Sequence, residues 1–164
     1  MRRRDFIGTA AAALLLPGAA VAQQPGRIYR IGFLGIVPRD DPDSAPIYEA
    51  LFDTLRGQGL IEGENLIVTL RVSRGREDRF GEYAAELASH KVDVIVAVGS
   101  AATLAAKRVS STIPIVMGAV PNPESLGIVT SLARPGGNVT GVSTMLLDIA
   151  GKVREISKEA MPNR

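Results

Sequence analysis

Few side chains in this 164-residue sequence could carry out catalysis or bind a metal ion. The chain has no cysteine and one histidine, His90. The absence of cysteine excludes disulfides, thiolate metal sites and a cysteine nucleophile, and a single imidazole argues against a metal site built from several histidines. We therefore predict no catalytic residue, no metal site and no cofactor, and we interpret His90 as the end of a helix.

A different kind of chemistry, the binding of a small solute, is indicated by residues that directly follow apolar runs. In Gly99-Ser100-Ala101 the glycine lets a ligand approach the backbone, and the serine can cap a helix. The free amides of a first helical turn attract a carboxylate or a phosphate, because a helix N-terminus carries about half a positive charge. Ser100 and Asn122 can equally be plain helix caps, so the sequence leaves both interpretations open.

Five apolar runs predict the strands that would position these residues. They cover residues 28–34, 66–72, 92–98, 113–120 and 139–142. Continuous apolar runs are typical of strands that a parallel sheet buries on both faces. The half-alternating run over residues 66–72 instead indicates an edge strand.

Helical patterns separate the predicted strands. The first pattern has Ile47, Leu51 and Leu55 on its apolar face, and the second has Phe80, Tyr83, Ala84, Leu87 and Ala88. The third covers residues 101–109, and the fourth begins at Asn122-Pro123-Glu124 and ends at residues 134–137. Asp148 caps a last helix, with Ile149, Val153 and Ile156 facing inward. Strands that alternate with helices predict an α/β fold with a doubly wound parallel sheet. Right-handed crossovers restrict its topology and favour the strand order 2-1-3-4-5.

The predicted fold also indicates where a ligand would bind. In open parallel sheets, ligands bind beyond the carboxyl ends of the strands, near the point where the strand order reverses. Here that point lies between the first and third strands. The loops at this edge hold Gly35 and Ile36, then Gly99, Ser100 and Ala101, then Pro121 and Asn122, and finally Ser143 and Thr144.

The charge balance argues against nucleic acid as a partner. Of 19 basic and 17 acidic residues, three arginines and one aspartate lie within residues 1–22, which leaves 16 of each sign in the rest of the chain. Arg71, Arg74, Arg76 and Arg79 form a basic cluster, but acidic residues interrupt it and no aromatic residue alternates with it. We interpret this cluster as a solvated face. The glycines of residues 57–63 follow a helical pattern rather than a strand, so they predict a turn and not a dinucleotide site.

The first 22 residues have the features of an export signal. Paired arginines precede Phe6 and Ile7, a short apolar run follows, and Ala20-Val21-Ala22 supplies small residues for cleavage. The paired arginines favour the twin-arginine route, and the alternatives are a general secretory signal or an uncleaved anchor. We predict cleavage after Ala22 and a periplasmic location for the rest of the chain.

Several segments together resemble the substrate-binding proteins of ABC transporters, in particular the family of tryptophan/tyrosine-type uptake receptors. The resembling segments are residues 30–35, 59–66, 84–87, 92–97, 111–116 and 132–141. Their order and spacing carry the resemblance, and they extend over nearly all of the chain beyond residue 22. An export signal in front of them is what such a receptor needs.

The resemblance implies a periplasmic-binding-protein type I-like lobe that binds a small solute, such as an amino acid, and delivers it to an ABC transporter permease in the membrane. The family's ligand loops correspond to Gly35-Ile36, Gly99-Ser100 with Thr103, Pro121-Asn122 and Ser143-Thr144. Where many relatives have aspartate, this chain has Asn122, which removes a carboxylate able to hold a ligand ammonium group. Since such receptors have two lobes, we interpret residues 23–164 as the first lobe, with the second lobe missing, and expect weak or absent ligand affinity for this chain alone.

Two alternatives belong to other functional classes. An exported hydrolytic enzyme of flavodoxin-like fold is compatible with the same pattern, because a fold does not determine a function. A regulatory protein of related fold is the other, although the export signal and the absence of a DNA-reading helix-turn-helix argue against it.

Overall fold

Five strands alternate with three α-helices over residues 26–144, the part of the chain that this computed structural model describes. In chain order the elements are β1 (Tyr29–Gly35), α1 (Ala45–Gly57), β2 (Leu66–Val72), α2 (Phe80–Ser89), β3 (Val94–Val98), α3 (Ser100–Val109), β4 (Ile115–Pro121) and β5 (Val139–Thr144), with one 3₁₀ turn, Glu77–Arg79, before α2. Each predicted strand is present, with its ends shifted by no more than two residues. The predicted helix that Asp148 begins and the export signal of residues 1–22 lie outside the described residues.

The strands form one parallel sheet in the order β2-β1-β3-β4-β5, as the sequence predicts. The half-alternating strand β2 lies at one edge, and β5 lies at the other. β1 pairs with both β2 and β3, so the strand order reverses between β1 and β3. The carboxyl ends of these two strands therefore meet at the predicted ligand edge.

Each face of the sheet has its own hydrophobic cluster. On one face α2 and α3 cover β1, β3 and β4, and residues such as Leu34, Leu87 and Ile95 are fully buried. On the other face α1 packs Tyr48 and Phe52 against neighbouring side chains of β1 to β3. These layers hold the strand ends, and with them the loops, in a fixed arrangement.

The apolar face of α1 differs from the predicted one at Ile47, which is 72% exposed. Tyr48 and Phe52 are the buried residues of the helix, while Leu51 and Leu55 pack beside them as predicted. Because the two aromatic rings bury more area than an isoleucine, the helix directs these rings, rather than Ile47, toward the sheet. The guanidinium of Arg39 lies 3.9 Å from the centre of the Phe52 ring and pairs with Glu62, which closes the edge of this cluster.

The predicted fourth helix is wrong, because residues 122–138 form turns and loop between β4 and β5. The Asn122 carbonyl accepts a hydrogen bond from the Leu126 amide, as in a helical turn. Gly127 then has a φ of 65°, which prevents the turn from continuing into a helix. The adjacent residues Ile128 and Val129 are both buried in the cluster under α3. Lys107 on α3 donates to the carbonyls of Gly127 and Ile128, at 2.5 and 2.9 Å, and so ties α3 to this loop.

Within residues 26–144, no helix has the length and apolar character needed to cross a membrane.

Candidate functional site

The carboxyl edge of the sheet brings the predicted binding loops together. Val98 pairs with Gly118, Pro121 pairs with Thr144, and the Gly99 amide donates to the Gly118 carbonyl at 2.8 Å. Gly35 is buried and Ile36 is 38% exposed. The remaining predicted contact residues are half-buried: Gly99, Ser100, Ala101, Pro121, Asn122, Ser143 and Thr144.

The N-terminus of α3 lies at the centre of this edge, and Gly99 rather than Ser100 is its cap residue. Gly99 has φ 89° and ψ 164°, a conformation that residues with a Cβ adopt only with strain. Ser100 is already the first helical residue, and no side chain caps the helix. The interpretation of Ser100 as a plain cap is therefore wrong, because the first-turn amides lack a side-chain acceptor.

Thr103 supports this loop from inside the protein. Its side chain is fully buried, and its hydroxyl donates to the Gly99 carbonyl at 2.8 Å. The Thr103 amide donates to the same carbonyl at 3.1 Å. Thr103 therefore holds Gly99 in position, a role different from the direct contact with a ligand that the resemblance implies.

Among the described non-glycine residues with a left-handed backbone, all but Lys91 lie near this edge. Arg74, Ala119 and Asn122 have φ values of 50°, 54° and 45°. They lie shortly after the end of β2, within the last three residues of β4, and directly after β4, respectively. Non-glycine residues in this conformation are strained and occur preferentially at functional sites.

Two buried hydroxyl oxygens at the strand ends have no hydrogen-bond partner among the described residues, Ser73 Oγ and Thr144 Oγ1. Thr144 ends β5 and was predicted as a contact. Ser73 directly follows β2, is 3% exposed and was missed by the sequence reasoning, which examined the residues after the other four strands. Its position after an apolar run was the signal that could have identified it.

A mostly apolar cavity of about 210 Å³ opens beside these loops on the α1 side of the sheet. Its lining consists of Phe33, Gly35, Ile36, Val37, Ser44, Ile47, Tyr48, Leu51 and Val98. The Tyr48 hydroxyl donates to the Val37 carbonyl at 3.0 Å, and burial raises the pKa of Tyr48 although Arg39 partly opposes this. A small apolar group of a ligand fits this space.

The arginine cluster of residues 71–79 is largely paired with acidic side chains, as expected for a solvated face. Two guanidinium nitrogens of Arg71 donate hydrogen bonds to the Glu86 carboxylate on α2, and the distance from Nε to Oε2 is 2.7 Å. These hydrogen bonds raise the pKa of Arg71 and lower the pKa of Glu86. Arg76 pairs with Asp78 and Arg79 with Glu82, both on the surface. His90 ends α2, as predicted.

The part of the chain that the structure describes contains no group of three or more residues among His, Asp and Glu that could hold a metal ion.

Residues 34–164 match the family model described as ABC transporter substrate binding protein. A curated relative, a tyrosine-binding protein of Clostridioides difficile (strain R20291), is 31% identical over 116 residues. That alignment covers 71% of this chain and 33% of the relative, so the chain spans about a third of the relative's length.

Solved structures of similar proteins share this fold. A ligand-free, open substrate-binding protein with adhesive properties from Clostridium difficile is 28% identical, with a TM-score of 0.65, and the match covers 71% of this chain and 39% of that one. An ABC domain from Streptococcus pneumonia in complex with L-Trp is 27% identical, with a TM-score of 0.63, over 71% and 38% of the two chains. A conserved domain protein from Vibrio cholerae is 28% identical, with a TM-score of 0.71, over 84% and 45%.

These comparisons confirm the resemblance that the sequence carries, and the hydrolase alternative finds no support among these relatives. The fold they share is the periplasmic-binding-protein fold that the resemblance implies, and its parallel sheet is the one predicted from the alternation of strands and helices. The chain belongs to the family of ABC transporter substrate-binding proteins.

Proposed function

We propose that this chain is the first lobe of an ABC uptake receptor and that it binds the carboxylate of a small solute at the N-terminus of α3. The observation that carries the proposal is the glycine cap of that helix. Since Gly99 caps α3 without a side chain, the amides of its first turn lack a side-chain acceptor. They lie at the point where the strand order reverses, which is where open parallel sheets bind ligands.

The proposed ligand is an amino acid with an apolar or aromatic side chain. Two relatives support this class, the tyrosine-binding protein and the ABC domain in complex with L-Trp. The apolar cavity between Ile36 and α1 lies beside the proposed carboxylate site and could receive such a side chain. The proposed contacts are Gly35, Ile36, Gly99, Ser100, Ala101, Pro121, Asn122, Ser143 and Thr144, with Thr103 holding Gly99 in place.

The proposed role is binding without catalysis. The contact residues named above include no acid, histidine or lysine, so they offer no general acid or base. Family membership supports the same conclusion, because the family consists of transport proteins.

Export and delivery complete the proposed function. Proteins of this family are extracytoplasmic, which agrees with an export signal over residues 1–22 that is cleaved after Ala22. In the periplasm the lobe of residues 23–164 would close with a second lobe around the solute by hinge motion. The membrane permease of an ABC transporter would then receive the solute.

Two substitutions of Ser100 test the carboxylate site. Ser100→Pro removes one first-turn amide, and proline is well tolerated at the first helical position. Ser100→Ala removes the hydroxyl and keeps the amide, so it is the matched control. In titrations of residues 23–164 with L-tyrosine or L-tryptophan, we expect the NMR signals of residues 99–101 to shift in the native chain and in Ser100→Ala.

In Ser100→Pro the same titration should produce markedly smaller shifts at residues 99, 101 and 102. Equal shifts in both variants would show that the amide is not used. Shifts confined to residues far from the carboxyl edge would place the ligand elsewhere and refute the site.

A further inference from the structure

The turn that follows β2 has a conformation that its sequence does not favour. In this turn the Arg76 amide donates a hydrogen bond to the Ser73 carbonyl at 3.0 Å. The two central residues, Arg74 and Gly75, have φ values of 50° and 84°, as in a type I′ turn. Glycine adopts this conformation readily and asparagine tolerates it, whereas arginine at the first central position is strained.

A second unfavourable feature lies next to this strain. Ser73 is 3% exposed, and its hydroxyl oxygen has no hydrogen-bond partner among the described residues. A hydroxyl group that is buried without a partner costs free energy. Two such features in one short turn indicate that stability alone does not explain its sequence, because departures of this kind are expected at functional sites.

The guanidinium of Arg74 is available to a ligand. The other three arginines of the cluster, Arg71, Arg76 and Arg79, each pair with an acidic side chain. Arg74 is exposed, and its side chain forms no ion pair or hydrogen bond with the rest of residues 26–144. Arg74 therefore differs from its neighbours both in its backbone and in its unpaired charge.

The backbone of Arg74 lies at the carboxyl edge of the sheet, close to the N-terminus of α3. The Ser73 amide donates to the Gly35 carbonyl and the Arg74 amide to the Ile36 carbonyl, both at 3.0 Å, so the pairing of β1 and β2 continues past the strand ends. On the other side of Ile36, its Cδ1 atom lies 3.7 Å from the position that a Cβ of Gly99 would occupy. Ile36 therefore separates Arg74 from the glycine cap of α3.

We propose that Arg74 is a second contact for the solute carboxylate, opposite the first-turn amides of α3. This inference rests on the proposed function, which places that carboxylate beside Gly99. A guanidinium can bind a carboxylate with two parallel hydrogen bonds. Since β1 lies between β2 and β3, the ends of β2 and β3 are about 10 Å apart. An extended arginine side chain and a carboxylate together can span such a gap above Ile36.

The test compares two arginines of the same turn in the full chain. Arg74→Asn removes the guanidinium and places a residue that tolerates a positive φ at the strained position. Arg76→Asn is the matched control, because it removes the same charge at an exposed residue with a φ of −95°. Both variants and the native chain are titrated with L-tryptophan and followed by NMR, with the amides of residues 99–101 and the Nε–H group of Arg74 as reporters.

We expect Arg74→Asn to weaken L-tryptophan binding by about three- to tenfold, as for the loss of a hydrogen bond to a charged group. Arg76→Asn should leave the affinity unchanged, and the Arg74 Nε–H signal of the native chain should shift together with the amides of residues 99–101. Equal affinities of the two variants, or an Arg74 signal that stays constant while those amides shift, would overturn the inference and leave the proposed function intact. The absence of shifts at residues 99–101 in the native chain would overturn both.

Thermal melts separate a loss of binding from a loss of structure. Because Arg74→Asn relieves the backbone strain, it should raise the melting temperature by about 2–4 °C relative to Arg76→Asn. Weaker binding by a more stable variant supports a role of Arg74 in contact with the solute. A melting temperature of Arg74→Asn no higher than that of Arg76→Asn would mean that the native turn is not strained, which overturns the argument for Arg74.

Discussion

Gly141 is the residue at which the fit between two strands is tightest. A Cβ at this position would lie 2.0 Å from the Met117 carbonyl oxygen and 2.7 Å from the Met117 nitrogen. Both are backbone atoms, so neither can move without breaking the pairing of β4 and β5. Its φ of 138° is also one that side chains other than glycine rarely adopt.

We predict that Gly141→Ala lowers the free energy of unfolding by about 3 kcal/mol or more, through overpacking against the β4 backbone. Gly137→Ala in the same segment is the control, because a Cβ there meets nothing within 4 Å. It should change the free energy by less than about 0.5 kcal/mol. Urea denaturation followed by circular dichroism compares the two variants, and similar midpoints would contradict the close approach.

At the residue scale the sequence predicted which residues lie at the carboxyl edge of the sheet but not their geometry. Gly99, Ser100 and Asn122 were placed correctly at the carboxyl edge because strand ends can be located from apolar runs. Which of Gly99 and Ser100 caps α3 depends on a backbone φ of 89°, which residue type alone does not determine. Ser73 was missed because its burial depends on the packing around the end of β2.

At the scale of elements, the pair of Arg71 and Glu86 joins β2 to α2. The hydrogen bonds from Arg71 lower the pKa of Glu86 below its ordinary value of 4.5. The unfolded chain therefore binds a proton at Glu86 more readily than the folded chain. The stability from this pair is present above the ordinary pKa and is lost as the pH falls through the lowered one.

We predict that Glu86→Gln lowers the melting temperature at pH 7. The difference in melting temperature between this variant and the native chain should shrink as the pH falls below about 4. Glu82→Gln is the control, since Glu82 accepts only long hydrogen bonds, 3.3 and 3.4 Å, from Arg79. Thermal melts of the three proteins between pH 7 and pH 3 measure the effect. A difference in melting temperature that stays constant across that range would show that this pair does not lower the pKa of Glu86.

The elements show what apolar patterning can and cannot predict. The strands and the order of the sheet follow from run length and alternation, since a parallel sheet buries its central strands on both faces. The predicted fourth helix relied on the local signals of Asn122 and Pro123. Those signals were outweighed by Gly127 and by the burial of the adjacent residues Ile128 and Val129, a pair that a loop can direct into the core.

At the scale of the whole molecule, the contact area available to a ligand is the main consideration. The proposed site lies on one lobe, and binding proteins of two lobes enclose their ligands from both sides. Residues 23–164 measured alone should bind L-tyrosine or L-tryptophan more weakly than about 1 mM, since a single open edge buries only part of such a ligand. Calorimetry that gives a micromolar dissociation constant would contradict this expectation.

The anchoring of α3 has a consequence for how a solute would be recognised. The Thr103 hydroxyl donates a hydrogen bond to the Gly99 carbonyl, and the Gly99 amide donates one to the Gly118 carbonyl. Near the other end of the helix, Lys107 donates hydrogen bonds to the carbonyls of Gly127 and Ile128. In the proposed site an arriving carboxylate would meet donors that are already ordered, so little conformational entropy would be lost at these loops. Discrimination between solutes would then depend on their shape and on the movement that encloses them, while these donors stay still.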